Sequence, residues 1–165
     1  LSFYGQTKLQ SEELVKKSGL KWAIVRTIIV YGIAEKMSRS NIVLWAKSAL
    51  EKGEDLNIVN DQFRAPTLAE DLAKGCLLIA DQGAEGVFHI SGKDYMSIVE
   101  LVKRVADFYG YDKSIIQETS STNLNQAAKR PPKTGFILTK AKKKLGYEPV
   151  SFEEGLKIME SQIRK

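Results

Sequence analysis

The sequence has very little cysteine and histidine. Its 165 residues include one cysteine, Cys76, and one histidine, His89. A single cysteine excludes an intrachain disulfide and a cysteine-based zinc cluster, and it suits a reducing compartment, so we expect a cytoplasmic protein. No histidine, cysteine or carboxylate residues are spaced as metal ligands, and we predict no metal site. A Ser-His-Asp triad through His89 lacks a Gly-x-Ser-x-Gly elbow, so we interpret His89 as a structural residue of a strand.

Two longer patterns are also absent. No segment approaches the ~20 consecutive apolar residues of a membrane span, so we expect no contact with a membrane. The twelve glycines never fall as G-x-G-x-x-G or as a P-loop, the turns that hold phosphates in many nucleotide-binding proteins. A complete dinucleotide site of the usual kind is therefore excluded within this chain.

The composition that is present describes an ordinary globular protein, with 43% hydrophobic and 27% charged residues. The length suits one domain with a proper core. The net charge of +5 comes partly from one run, Lys140 and Lys142–Lys144, which we interpret as a solvated face. We therefore expect no nucleic-acid partner, and a basic nucleic-acid-binding module is a distant alternative. The chain opens on Leu1 rather than Met, which favours a piece of a longer protein.

Helical and extended patterns alternate along the chain, which predicts an α/β architecture. Helical periodicity covers 3–17, 41–52, 68–79 (through Leu68, Leu72, Cys76 and Ile79), 98–108 and 152–163. Short apolar or β-branched runs predict strands over 21–30, 56–59, 86–91 and 115–121. Capping boxes predict helix starts at Ser97 and Ser151, and 123–135 is predicted as a loop.

One pair of residues has the chemistry of a catalyst. Tyr4 and Lys8 stand four residues apart in a predicted helix, so they share one face. A phenol is a poor acid–base group near neutrality, and a neighbouring ammonium improves it by stabilising the phenolate. Such a pair can give a proton to a carbonyl oxygen. The pattern alone is weak, because an exposed helix pair of this kind also arises by chance.

Further motifs follow the pair in a fixed order. The sequence continues through Val25-Arg26-Thr27-Ile28-Ile29-Val30-Tyr31-Gly32, then Phe63-Arg64-Ala65-Pro66-Thr67 before Asp71-Leu72-Ala73, then Gly86 to Gly92, and finally Arg130-Pro131 with Lys140. This order resembles the extended short-chain dehydrogenase/reductase family, and within it the C-terminal half of the dTDP-4-dehydrorhamnose reductases. The resemblance runs over nearly the whole chain.

The resemblance implies a division of the chain. Residues 1–40 and 80–110 would be the trailing part of a doubly wound Rossmann-type fold, and 41–79 and 111–165 a small α/β substrate-binding lobe. The N-terminal half with the glycine-rich fingerprint and a catalytic Ser or Thr is missing. We expect strands at that break to be poorly covered, or paired with a second copy, so a homodimer stays open.

The resemblance also implies roles at the reacting centre. Tyr4 would protonate the 4-keto oxygen of a nucleotide sugar as NADP or NAD delivers a hydride. Lys8 would make Tyr4 a stronger acid and hold the nicotinamide ribose. Arg26 and Thr27 would end the strand below the nicotinamide, with a structural role as the alternative for Arg26.

Three further residues would bind the substrate. Asn41 matches a position that faces the nucleotide sugar, and Arg64 and Arg130 match arginines that contact its phosphates. Guanidinium groups suit this role because they bind phosphate oxygens in pairs. The alternative for each arginine is an ordinary surface or ion-pair residue.

Departures from the family pattern leave other functions open. Sugar epimerases usually carry Asn where this chain has Ile29, which argues against an epimerase, although an epimerase or dehydratase remains one alternative. The reductases usually have a small residue at Arg64 and an acidic one at Ile137. An arginine at the first position is found in the methionine adenosyltransferase regulatory β-subunit, so a non-catalytic subunit is the second alternative.

Overall fold

The structure is a computed structural model that describes residues 2–34, 40–123 and 130–163. Helices alternate with short strands, so the predicted α/β class is confirmed. The helices are α1 (Phe3–Lys16), α2 (Ile42–Glu51), α3 (Ala69–Asp81), α4 (Ile98–Tyr109), α5 (Thr139–Leu145) and α6 (Phe152–Ile163). The strands are β1 (Ala23–Arg26), β2 (Val30–Tyr31), β3 (Leu56–Val59), β4 (Phe63–Arg64), β5 (Thr67–Leu68), β6 (Gly86–His89), β7 (Met96–Ser97) and β8 (Ile116–Thr119).

The strands associate in pairs. β1 with β6, β2 with β5 and β3 with β8 are parallel, and β4 with β7 is antiparallel. Parallel neighbours need a long crossover, and α2 and α3 lie in the chain between β1 and β6. In that pair Arg26 lies beside His89, and the Ile90 amide donates to the Arg26 carbonyl at 3.0 Å. The residues that follow β1 and β6 therefore lie at one edge of the pair.

Two hydrophobic clusters form the core. The larger joins α2, α4 and α6 to β3 and β8, and Leu101, Val102 and Val105 of α4 are fully buried in it. The smaller lies on the β1–β6 pair, where α3 and α5 help to cover Phe88 and Ile90. Helix α3 thus packs with β1 and β6, and α4 packs with α2. The domain boundaries drawn from the sequence stay a prediction.

Both predicted capping serines are confirmed. The hydroxyl of Ser97 accepts the amide of Glu100 at 3.1 Å. At Ser151 both halves of the box form: the hydroxyl accepts the Glu154 amide at 3.3 Å, and the Glu154 carboxylate accepts the Ser151 amide at 2.7 Å. These contacts fix where α4 and α6 begin, because they satisfy amides that have no partner within the helix.

The single strand predicted over 21–30 is wrong in its extent. Strand β1 ends at Arg26, and Ile29 has a positive φ of +38°, which interrupts the extended backbone. The next strand, β2, pairs with β5 instead of β6. A β-branched residue rarely adopts positive φ, so nothing in this apolar run indicates a break.

The apolar stripe predicted on α3 needs one correction. Cys76 is exposed, and its neighbour Gly75 is buried instead. A Cβ atom at Gly75 would stand 2.7 Å from Cγ2 of Ile90. Helix α3 therefore turns its glycine toward Ile90, because the Ile90 side chain occupies the space that a side chain at position 75 would need.

Candidate functional site

The first turns of α1 present Tyr4 and Lys8 on an open face. The hydroxyl of Ser2 accepts the amide of Gly5 at 3.2 Å and caps the helix just before Tyr4. The Nζ atom of Lys8 lies 5.4 Å from the centroid of the Tyr4 ring, within the range of a cation–π contact. The side chain of Tyr4 is 70% exposed, and Lys8 is exposed as well. A ligand can therefore reach the phenol and the ammonium together.

An ion pair ties this helix to the end of β1. Arg26 donates from Nε to Glu12 Oε1 at 2.7 Å and from Nη2 to Oε2 at 2.6 Å. The guanidinium holds the pKa of the Glu12 carboxyl below its ordinary value. The structure thus gives Arg26 the structural role that the sequence left open, and its contact with a nicotinamide stays a prediction. Glu12 was missed because a partner fourteen residues away leaves no periodic signal.

Thr27 follows β1 with its side chain exposed. Its hydroxyl donates to the hydroxyl of Thr67 at 3.3 Å. Thr67 is completely buried, and it donates in turn to the carbonyl of Ile28 at 2.7 Å. This chain of hydrogen bonds holds the segment after β1 against β5, with Thr27 at the surface near Arg26.

His89 lies next to Arg26 on β6 and stacks on Phe136, with 4.4 Å between the ring centroids. Burial, and then the charges of Arg26 and Lys140, lower the pKa of His89. The imidazole is therefore neutral near neutral pH. This environment fits the structural interpretation of the histidine.

Asn41 caps helix α2. Its side-chain oxygen accepts the amides of Val43 at 3.1 Å and Leu44 at 3.0 Å, and its Nδ2 donates to the carbonyl of Gly32 at 2.8 Å. Both ends of the amide are engaged with backbone. The geometry thus makes Asn41 a positioning residue for the start of α2, and a direct contact with a sugar stays a prediction.

Arg64 is buried, with 7% of its surface exposed. Its guanidinium donates to four oxygens, all neutral: the carbonyls of Phe63, Pro131 and Pro132, and the side chain of Gln62. Burial, and then the charge of Arg130, lower the pKa of Arg64. Because Arg64 binds the carbonyl of Pro131, the residue after Arg130, the two predicted phosphate ligands lie in the same region. Neither has a carboxylate within ion-pair distance among the described residues.

The predicted site residues thus fall into two groups. Tyr4, Lys8, Arg26 and Thr27 belong to α1 and the end of β1, whereas Arg64 and Arg130 form a separate pair of cations. Over the described ranges, no three His, Cys, Asp or Glu side chains are placed to hold a metal ion. None of the helices in those ranges has the length and apolar character needed to cross a membrane.

The Tyr-x-x-x-Lys pair on an exposed helix and the parallel strand pairs fit the extended short-chain dehydrogenase/reductase class. Comparison with family models narrows the class. The model for the RmlD substrate binding domain matches residues 1–164, so the chain is a member of that family. The resemblance inferred from the sequence is confirmed.

Two curated proteins are similar to the chain over most of its length. The chain is 25% identical over 161 residues to the probable low-salt glycan biosynthesis reductase Agl14 of Haloferax volcanii, covering 96% of this chain and 53% of that protein. It is 29% identical over 136 residues to methionine adenosyltransferase 2 subunit beta of Danio rerio, covering 79% of this chain and 42% of that protein.

A solved structure of dTDP-4-dehydrorhamnose reductase from Bacillus anthracis, in complex with NADP, superposes with a TM-score of 0.85 at 26% identity. The match covers 96% of this chain and 55% of that one. The chain therefore spans about half the length of these proteins.

Proposed function

We propose that this chain supplies the acid–base pair and the substrate-binding residues of an NAD(P)-dependent nucleotide-sugar reductase. Its reaction would be reduction of the 4-keto group of a dTDP-4-dehydro-6-deoxy sugar. The observation that carries the proposal is the exposed pair Tyr4 and Lys8, with Nζ 5.4 Å from the phenol ring. The family, and its solved relative in complex with NADP, support the same reaction class.

Reduction of a ketone adds a hydride to carbon and a proton to oxygen. When bound, a reduced nicotinamide supplies the hydride. The Tyr4 hydroxyl donates its proton to the carbonyl oxygen and becomes a phenolate. The Lys8 ammonium stabilises that phenolate, because opposite charges at short range attract. A proton from solvent then restores the Tyr4 hydroxyl for the next turnover.

The residues of the pair fit the nicotinamide end of a dinucleotide. Lys8 makes no hydrogen bond or ion pair with the described residues, so its three N–H donors are available to ribose hydroxyls. The exposed hydroxyl of Thr27 follows the strand to which α1 is tied. Since the sequence has no glycine-rich fingerprint, we expect the pyrophosphate of the cofactor to be held outside this chain.

Arg64 and Arg130 fit the diphosphate of the substrate. All four hydrogen bonds of Arg64 go to neutral oxygens, so they leave its positive charge uncompensated. Arg130, the residue before Pro131, adds a second positive charge to this region. Such a region favours an anion with several oxygens, because opposite charges attract at short range.

The test uses the complete gene product with NADPH and a dTDP-4-keto-6-deoxy sugar, and it follows the loss of NADPH. We expect Tyr4→Phe to lower the rate by about a hundredfold or more, the scale of a lost general acid. Tyr111→Phe is the matched control, since Tyr111 lies after α4 and stacks on Tyr109. Lys8→Ala should also be strongly impaired, whereas Lys17→Ala, at the other end of the same helix, should be active.

Other outcomes would replace the proposal. Full activity in Tyr4→Phe would remove Tyr4 from the reaction. A product epimerised without net use of NADPH would assign an epimerase. Stoichiometric binding of an adenosyltransferase, without turnover of any keto sugar, would assign a regulatory subunit of the kind found in Danio rerio.

A further inference from the structure

Tyr4, Lys8 and Glu12 follow one another at four-residue intervals along α1. Residues at this spacing lie on one face of a helix, with Cβ atoms roughly 5–6 Å apart, so the side chains of Lys8 and Glu12 can reach each other. Among the described residues, however, Lys8 has no ion-pair partner. Its Nζ atom lies over the Tyr4 ring instead.

Arg26 occupies the carboxylate that Lys8 could bind. It donates from Nε to Glu12 Oε1 at 2.7 Å and from Nη2 to Oε2 at 2.6 Å, so both oxygens are used. Two parallel charge-assisted hydrogen bonds fix the direction of a carboxylate as well as its position. The Glu12 side chain is only 15% exposed in this pair. Glu12 therefore points toward the end of β1 and not along its own helix.

A released Glu12 would have two cations of α1 within one turn. A glutamate stays ionised near neutral pH without its arginine, so it would still attract them. Lys16 is already paired with Glu13 at 2.8 Å, whereas Lys8 has no carboxylate partner in the described part of the chain. The other titratable group beside Glu12 is His89 of β6, which is neutral near neutral pH. Lys8 is therefore the cation that a released Glu12 would bind.

We propose that Arg26 is a positioning residue that holds Glu12 away from Lys8, so that the Lys8 ammonium stays beside Tyr4. The effect on turnover rests on the proposed function, in which Tyr4 and Lys8 are the acid–base pair. Arg26 acts through Glu12 and not on the reacting atoms. Without it, an ion pair between Lys8 and Glu12 would draw the ammonium away from the phenol and would weaken its stabilisation of the phenolate.

The first experiment measures kcat and KM of the complete gene product with NADPH and a dTDP-4-keto-6-deoxy sugar. Arg26→Gln should lower kcat by about tenfold, because it weakens the acid–base pair without removing it. The KM for the sugar should stay within about twofold, since no substrate-binding residue is changed. Glu12→Gln should lower kcat by at most about threefold, through loss of the contact that ties α1 to β1. The double variant Arg26→Gln with Glu12→Gln should recover to the level of Glu12→Gln, because no carboxylate is left to bind Lys8.

Arg104 and Glu153 provide a matched control. They form the same two-bonded pair, with both contacts at 2.6 Å, between α4 and α6. Arg104→Gln should keep kcat within about twofold, because this pair does not hold α1. Addition of Glu153→Gln should bring no recovery.

A second experiment does not depend on reductase turnover. It measures the rate at which each lysine is acetylated, by mass spectrometry, in the protein without cofactor. An amine reacts only when it is neutral, so an ion pair slows its acetylation. Relative to Lys17, Lys8 should react at least about threefold more slowly in Arg26→Gln than in the unmodified protein. The double variant with Glu12→Gln should return to the original rate.

A surface variant tests the same effect where Arg26 is intact. Ser11 is exposed and lies three residues after Lys8, so Ser11→Glu adds a carboxylate that no arginine holds. It should slow the acetylation of Lys8 as Arg26→Gln does, whereas Ser11→Gln should not. If Arg26→Gln does not fold, a normal Lys8 rate in Ser11→Glu refutes the proposal.

Three further results would overturn the proposal. Equal losses of kcat in Arg26→Gln, Glu12→Gln and the double variant would make the pair a tether of α1 and nothing more. Slower acetylation of Lys16 in place of Lys8 would show that a released Glu12 binds the other neighbour. Unchanged labelling of Lys8 in a folded Arg26→Gln would remove Arg26 from the positioning of the pair. If the labelling changes as expected but no variant or unmodified protein reduces a keto sugar, the proposed function fails and the role of Arg26 toward Lys8 stands.

Discussion

Helices α1 and α4 are similar in length, but they differ in how much of their surface is buried. Helix α1 buries none of its side chains, whereas α4 buries five. Phe3 and Leu14 of α1 are 82% and 73% exposed, and Leu101 of α4 is completely buried. The helix that carries the candidate acid–base pair is thus the one with the least cover, and the helix with no candidate residue fills the core.

The two helices are stabilised by different interactions. Burial of apolar surface contributes roughly 25 cal/mol per Å², so α4 stabilises the fold through its packed side chains. Helix α1 is held mainly by its Ser2 cap and by the pair between Glu12 and Arg26, which leaves its outer face available.

The largest expected effect tests this comparison directly. Leu101→Ala should lower the free energy of unfolding by about 2–5 kcal/mol, since it removes a fully buried side chain from the larger cluster. Leu14→Ala, the same change on α1, should stay within about 0.5 kcal/mol, because that side chain is already exposed. Urea unfolding of both variants measures the difference.

Equal losses in the two variants would contradict the comparison. They would mean that Leu14 is covered in solution, either by another part of the protein or by a second copy. A concentration-dependent midpoint in the unmodified protein would then identify the second copy.

Much of the fold was predictable from local patterns. The serines that cap α4 and α6 carry a side-chain signal, and the 3–4 spacing of their apolar residues predicts the buried face. The break after β1 was not predictable, because Ile29 adopts a conformation that its residue type disfavours. Exposure of Cys76 depends on how closely α3 approaches Ile90, which is a property of tertiary packing.

The candidate site was predictable only in part, for a related reason. Tyr4 and Lys8 lie on one helix, so their spacing alone places them together. The uncompensated charge of Arg64 depends on carbonyls of Pro131 and Pro132, which are more than sixty residues away.

The second prediction concerns Ile29, which lies in the segment between β1 and β2. Ile29 lies between β1, which packs in the smaller cluster, and β2, whose Tyr31 packs in the same cluster as α4. Asn tolerates positive φ better than Ile, so Ile29→Asn should raise the free energy of unfolding by up to about 1 kcal/mol.

Ile28→Asn is the matched control, because Ile28 is also half-buried and does not have positive φ. It should lower the free energy of unfolding by about 1 kcal/mol. Equal losses in the two variants would show that the apolar contacts of Ile29 outweigh its backbone strain, and urea unfolding separates the two results.

The smallest expected effect is a pH dependence of the free energy of unfolding that arises from His89. Burial, Arg26 and Lys140 lower the pKa of His89, although Glu12 opposes them. As pH falls below about 6.5, the ordinary value, the unfolded chain therefore takes up the proton first, so stability is complete above that pH and declines as pH falls toward the folded-state pKa. Between about pH 7.5 and 5.5 the unmodified protein should lose somewhat more stability than His89→Gln, by less than about 1 kcal/mol.

Around α4, Arg104 holds the pKa of Glu153 below its ordinary value, so that pair does not titrate in this range. Identical pH profiles for His89→Gln and the unmodified protein would show that the imidazole is as free to protonate in the folded state as in the unfolded chain.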